Sequence, residues 1–361
     1  MRRLPELARR RLGLVVAVVA ALLAVVLVAA LLIGPAAIGA GDLWMIVMRR
    51  AAQLLRQGSA GLAEASGHGL SWQETILWQV RLPRVLTGAA VGAALAVSGA
   101  VLQGLFRNPL ASPSVLGVSS GASLGAVIAI FFGLSASLVW ALPLFACAGA
   151  ILTLLLVYTI ATHQGRTPIA TLLLAGIAVG AFNVAMSSFV LALALERWEV
   201  GKTIVFWTMG GLDGRTWDHV LLIAPVLLAG LAVVMAFTRE LDALLVGEVS
   251  AAAVGVDVAR TRLILLLATA LLTGAAVAVA GGIGFVGLVV PHIVRLLVGP
   301  HHRALLPLSA LVGALVITAA DVLLRGLLAE HNIPLGVVTA ALGAPFFLFL
   351  LVRQQERLAR A

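Results

Sequence analysis

About ten times along this chain, a run of roughly 20 residues passes with hardly a charged side chain, long enough to cross a bilayer core of about 30 Å as an α-helix. A backbone inside lipid has no water to bond its N–H and C=O groups, so such runs must be helices that satisfy those groups internally. The expected fold class is therefore all-α: a polytopic membrane protein of about ten transmembrane helices. The runs fall at residues 14–33, 84–106, 115–134, 138–161, 169–195, 219–237, 263–281, 283–298, 304–324 and 335–352. With 62% hydrophobic and 11% charged residues, against roughly a quarter charged in a soluble domain, the whole of 1–361 is expected to be one transmembrane domain.

The stretch 81–121, RLPRVLTGAAVGAALAVSGAVLQGLFRNPLASPSVLGVSSG, organises the rest. Gly88, Gly92, Gly99 and the alanines between them allow neighbouring helix backbones to approach closely, which places this span inside a bundle. The net charge of +9 sits at the ends of apolar runs, without an extended basic stripe and interleaved aromatics, so no nucleic acid is expected and membrane orientation explains it. With both termini cytoplasmic, 15 of the 24 Lys and Arg residues fall inside and nine outside. Cys147 is the single cysteine, which excludes a disulfide within the chain and a cysteine-based metal site. The basic start and first run resemble a signal peptide, but a run of about 20 exceeds the usual core of about 7 to 15, so a retained span is expected.

Three polar intervals stand out. Residues 34–78 are expected to form an external amphipathic segment, with a helix over Asp42–Gln57 and a Gly/Ser-rich connection at 58–71. Residues 196–219 carry Trp198, Trp207 and Trp217, which suits an outer interfacial belt. Residues 239–262 are expected to form a cytoplasmic loop with a stub helix at Glu248–Ala253, bounded by Gly247 and Gly255 and too short to span; a plain surface loop is the alternative.

Gly282, Gly284 and Gly287 match GxGxxG, yet no soluble strand precedes them and no acidic residue follows about 20 positions on, as a dinucleotide site needs. His301 and His302 adjoin Pro300 in a loop, and His292 follows Pro291 near a span end; solvated and structural roles are expected, and no cofactor or metal site. Asp321, beside Arg325 near a span end, is the nearest candidate for a carboxylate in a span, whereas ion-coupled carriers place such groups near the midplane. The driving energy is therefore expected from another subunit. Pro113 before Leu116-Gly117-Val118 and Pro334 before Leu335-Gly336-Val337 form a faint internal echo, as transporters often show.

The motifs RLPR at 81–84, SGAVLQGLFRNPLASPSVLGVSSGA at 98–122, MGGLDGRTW at 209–217, LLVGEVSAAAVGV at 244–256, GGIGFVGLVVPHIVRLL at 281–297 and IPLGVVTAALGAPFFLFLL at 333–351 resemble those of the FecCD-type permeases of ABC importers. These take up ferric siderophores, haem and cobalamin. The resemblance implies a type II importer permease of the inner membrane: a homodimer with two ATP-binding subunits below and a periplasmic or lipoprotein substrate-binding protein above. ATP hydrolysis would belong to the separate subunits, so the chain is not expected to be an enzyme. Carried over, Arg81, Arg84 and Arg325 are implied to dock the binding protein, and Gly247, Glu248, Ala252 and Gly255 to form the helix that couples to the ATPase. Gln103, Asn183, Ser187 and Ser188 are candidate pathway-lining residues from their polarity in or beside spans. An ion- or proton-coupled secondary transporter is the alternative function. Residues 34–71 carry none of the quoted motifs.

Overall fold

The computed structural model describes residues 3–36, 38–57, 72–163, 167–328 and 331–359. Among them the regular elements are helices: α1 Arg3–Leu32, α2 Ala40–Gln57, α3 Trp72–Leu105, α4 Val118–Phe131, α5 Leu134–Ser137, α6 Ala141–Ala161, α7 Ile169–Ala194 and α8 Trp198–Thr208. The second half adds α9 Trp217–Ala236, α10 Thr238–Val246, α11 Glu248–Ala253, α12 Val258–Ala280, α13 Val286–Val298, α14 His302–Leu327 and α15 Leu335–Ala359.

Seven of these are long and apolar enough to cross a membrane, in α1, α3, α6, α7, α9, α12 and α14. Three shorter apolar helices, α4, α13 and Leu335–Phe349 within α15, bring the count to ten, and the chain is a multi-pass membrane protein. At 1.5 Å per residue α4 and α13 cover only about 20 Å. Each continues a non-helical segment: residues 108–117, ending at left-handed Gly117, and residues 281–285, with positive φ at Gly281 and Phe285. Irregular backbone at membrane depth persists only where protein covers it or a cavity borders it. Residues 112–114 and 282–285 of these two breaks border one cavity.

α3 is its axis, wrapped by α14, α12, α13 and α9. A Cβ at Gly92 would lie 2.0 Å from the Gly313 carbonyl oxygen, and one at Gly99 1.6 Å from that of Gly287. The backbones touch directly, so the alanine- and glycine-rich sequence is what permits α3 to be central. Twelve residues before its expected start, α3 already begins at Trp72, and Ile76–Arg81 forms a π-helical turn. Pro83 cannot donate the usual backbone bond, and the wider turn just ahead of it takes up the misfit.

Of the 34–78 interval, α2 forms most of the described part, residues 58–71 lie outside the described residues, and 72–78 belong to α3. Ile46 packs on Leu77 and Ile38, while Trp44, Met45 and Met48 are exposed. Residues 164–166 of the short basic loop also lie outside the described residues.

Candidate functional site

The structure gathers the three arginines singled out from sequence at one end of the bundle, where α1 finishes. Arg81 is only 3% exposed; its guanidinium donates to the carbonyls of Leu31, Leu32 and Ala36. Arg325 donates from Nη1 to the carbonyls of Ala30 at 3.2 Å and Ile33 at 2.8 Å. The last carbonyls of a helix have no partner within it and carry its negative dipole end, so two cations hold the end of α1 against α3 and α14.

Arg84 is placed differently. Its Nη2 bonds Asp321 Oδ1 at 2.7 Å and its Nε lies 3.1 Å from the same oxygen, while Nη1 reaches Asp213 Oδ1 at 2.6 Å. The Asp321 side chain is 3% exposed and also holds Arg325 Nε at 3.0 Å, four residues on along α14. Asp213, in the 209–216 turn between α8 and α9, is 84% exposed. Arg84, Asp213, Asp321, Arg325 and Asn332 border a cleft of about 160 Å³. On the same turn, burial pulls the Arg215 guanidinium below the ordinary arginine range, and Asp213 pulls it back up.

Glycines knot that turn to the end of α12, just ahead of the 281–285 break, and to the start of α15. Gly211 N–H donates to the Ala280 carbonyl at 2.8 Å, and Gly336 N–H, opening α15, to the Gly210 carbonyl at 3.3 Å. A Cβ on Gly281 would sit 2.1 Å from the Trp207 oxygen, and one on Gly336 2.2 Å from that of Met209. Only glycine allows this contact of three backbones.

Along the flank of the bundle, α4, α7 and α8 enclose an open cavity of about 600 Å³, polar at Ser119, Ser120, Ser123, Ser187, Ser188 and Thr208 and otherwise apolar. Ser114, Ser119 and Ser123 also border a second cavity of about 180 Å³ against residues 282–285. Ser187 and Ser188 line this opening. Asn183 stands behind the wall, 5% exposed, donating to Thr153 Oγ1 at 3.0 Å. Gln103 is elsewhere, buried, donating to the Leu288 carbonyl at 3.0 Å and accepting from Arg295 at 2.8 Å. The serines of 114–123 lay in a quoted motif but were not singled out, since the sequence does not show which side of α4 is open. Among the described residues no group of His, Cys, Asp and Glu could hold a metal.

The opposite end carries the short helix α11, with Gly247 at φ 138° before it and Gly255 at φ 87° after it. Glu248 pairs with Arg262, which also donates to the Thr167 carbonyl at 3.0 Å. Glu248 therefore fixes the helix to α12, with Ala251 fully buried beneath it. Val246, Val249 and Val254 stand 74%, 86% and 74% exposed, and Ala252 is exposed beside them. This apolar patch was not anticipated from sequence. Just before it, Asp242 accepts from the backbone N–H of His302 at 2.9 Å and pairs with its Nδ1 at 2.7 Å, joining α10 to α14.

A family model described as the FecCD transport family matches residues 22–353. The cobalamin import system permease protein BtuC of Halobacterium salinarum is 49% identical over 284 residues, 79% of this chain and 75% of that protein. The Fe(3+)-citrate import system permease protein YfmD of Bacillus subtilis is 42% identical, over 78% of this chain and 82% of that one. A solved inward-facing structure, assigned to a metal-chelate type ABC transporter, superposes with a TM-score of 0.79 at 31% identity, covering 94% of this chain and 99% of that one.

Proposed function

The chain belongs to the FecCD transport family, and from that premise we propose that it is the permease subunit of an ATP-binding cassette importer in the cytoplasmic membrane, carrying cobalamin or an iron chelate. The supporting observation is an open cavity walled by serines and apolar side chains on α4, α7 and α8. It has the character of half a pathway. A second copy related by a two-fold axis would close it with the same surface, as homodimers do. Named relatives import cobalamin and ferric citrate, both bulky metal-bearing cargoes, and a wall of hydroxyls and small side chains suits passage better than tight coordination.

Energy and cargo recognition enter from the two ends. With both termini cytoplasmic, the charge cluster faces outward, where Arg84 and Arg325 present guanidinium groups to carboxylates of a substrate-binding protein; charge-assisted bonds of this kind orient docking and speed encounter. Arg81 acts beneath them by holding α1. The exposed valines and Ala252 of the 246–254 region face two ATP-binding subunits, and a short helix pinned through Glu248 passes their movement into α12. Asp321 is already neutralised by two arginines near a helix end, so ion-coupled carriage is not favoured.

The test is uptake into vesicles holding the permease, the ATPase and the binding protein encoded beside it, supplied with labelled cyanocobalamin in one arm and ferric citrate in the other. ATP-dependent accumulation in one arm, with none when the ATPase is omitted, is the expected result. Accumulation by the permease alone under a proton gradient would overturn the reading.

A further inference from the structure

Arg84 has one partner it keeps and one it can exchange. Asp321, almost wholly buried, binds it at Nε and Nη2; Asp213, at the tip of an exposed turn, occupies Nη1, the remaining donor of the fork on the cleft side. A carboxylate arriving from a docking protein competes for that same nitrogen, because Nε and Nη2 are both engaged by buried Asp321. Two carboxylates do not share one outward donor without bringing like charges together.

We infer that Asp213 is a built-in stand-in for the binding protein's carboxylate: it fills the Arg84 site in the undocked permease and is displaced when the partner binds. The inference rests on the docking role of Arg84 proposed above and adds what that docking does. Displacement releases the 209–216 turn from α3 and α14. The turn is the strap whose Gly210 and Gly211 are bonded to the start of α15 and to the last residue of α12, directly ahead of the 281–285 break. Thr208, the last residue of α8, lines the large cavity, and residues 282–285 border the smaller one. A charge exchange at the surface therefore acts on the walls of the pathway through backbone contacts too close to slip. Asp213 is in this sense a positioning residue that makes pathway geometry depend on docking.

The sign of the effect separates this role from that of an ordinary surface contact. An exposed ion pair is worth a fraction of a kcal/mol to about 1 kcal/mol, so removing the competitor with Asp213→Ala should tighten docking of the co-encoded binding protein about two- to fivefold, measured with the permease–ATPase complex in nanodiscs. Asp213→Glu, which restores the charge, should return affinity to within about twofold of wild type. In the wild-type complex, hydrogen exchange at the Gly211 and Gly336 amides, which bond across the strap, should change on docking as the turn shifts. If Arg84→Ala weakens docking while Asp213→Ala leaves it unchanged or weaker, the stand-in role is wrong and the docking role survives. If Arg84→Ala has no effect on docking, both fall. Unchanged exchange at Gly211 and Gly336 on docking would overturn the coupling to the pathway walls.

Discussion

α3 and α7 are both long, apolar, glycine-containing helices of nearly equal mean hydropathy, yet 89% of the apolar window of α3 is buried and 28% of that of α7. In water such a difference would show as a polar stripe on the exposed helix. In lipid the exposed face is as apolar as the buried one, and side-chain size replaces polarity as the discriminator. α3 presents Gly92 and Gly99 to facing backbones, whereas α7 presents Leu174, Ile177, Phe182 and Phe189 outward, each more than half exposed. The comparison separates a helix that holds the fold from one that awaits a partner or cargo.

The sharpest way to break that contrast is to enlarge a contact on α3. Gly99→Val places carbon where the Gly287 carbonyl already is; it should exceed the usual overpacking cost of about 1–3 kcal/mol and abolish recovery of monodisperse protein in detergent. Near-normal yield and melting temperature would mean that α3 is not the axis. Next in size is Asp321→Ala, which takes the shared buried carboxylate from two largely buried guanidinium groups and should cost about 3 kcal/mol, read as a large fall in thermal stability; Asp321→Glu should recover part of it. On α7 the expectation reverses. Ser187→Phe, on the open cavity, should change stability by no more than about 0.5 kcal/mol while reducing uptake at least tenfold, and normal uptake would remove that wall from the pathway. Smallest in stability is Val249→Ser on the short helix, within about 0.5 kcal/mol, with reduced binding-protein-stimulated ATP hydrolysis as the readout.

The ten apolar stretches and the stub at Glu248–Ala253 were legible because length, charge and bounding glycines are local properties. The interior place of 84–106 was legible from its small residues. Less visible was where spans three and eight break: glycines mark a possible turn, but only the approach of Gly176 and Trp207 requires one at Gly117 and Gly281. The arginines were named through the family resemblance, yet their partners are distant in the chain. Arg84 meets Asp213 and Asp321 across 129 and 237 positions, and Arg81 meets α1 backbone that no sequence pattern marks. Among the polar candidates, Ser187 and Ser188 face the cavity while Asn183 and Gln103 serve buried hydrogen bonds, because a lone amide in an apolar helix has the same sequence signature in either role.

α14 joins His302, latched to Asp242, at one extremity to Asp321 and Arg325 at the other. Its 26 residues make a strut of about 39 Å, so pivoting it by about 5° at the latch would sweep the far tip through roughly 3 Å, comparable to one hydrogen-bond length. A nudge beside the valine patch is thereby enough to make or break a guanidinium contact at the far end of the bundle. On the function proposed above, the two ends need no messenger between them beyond a single lever.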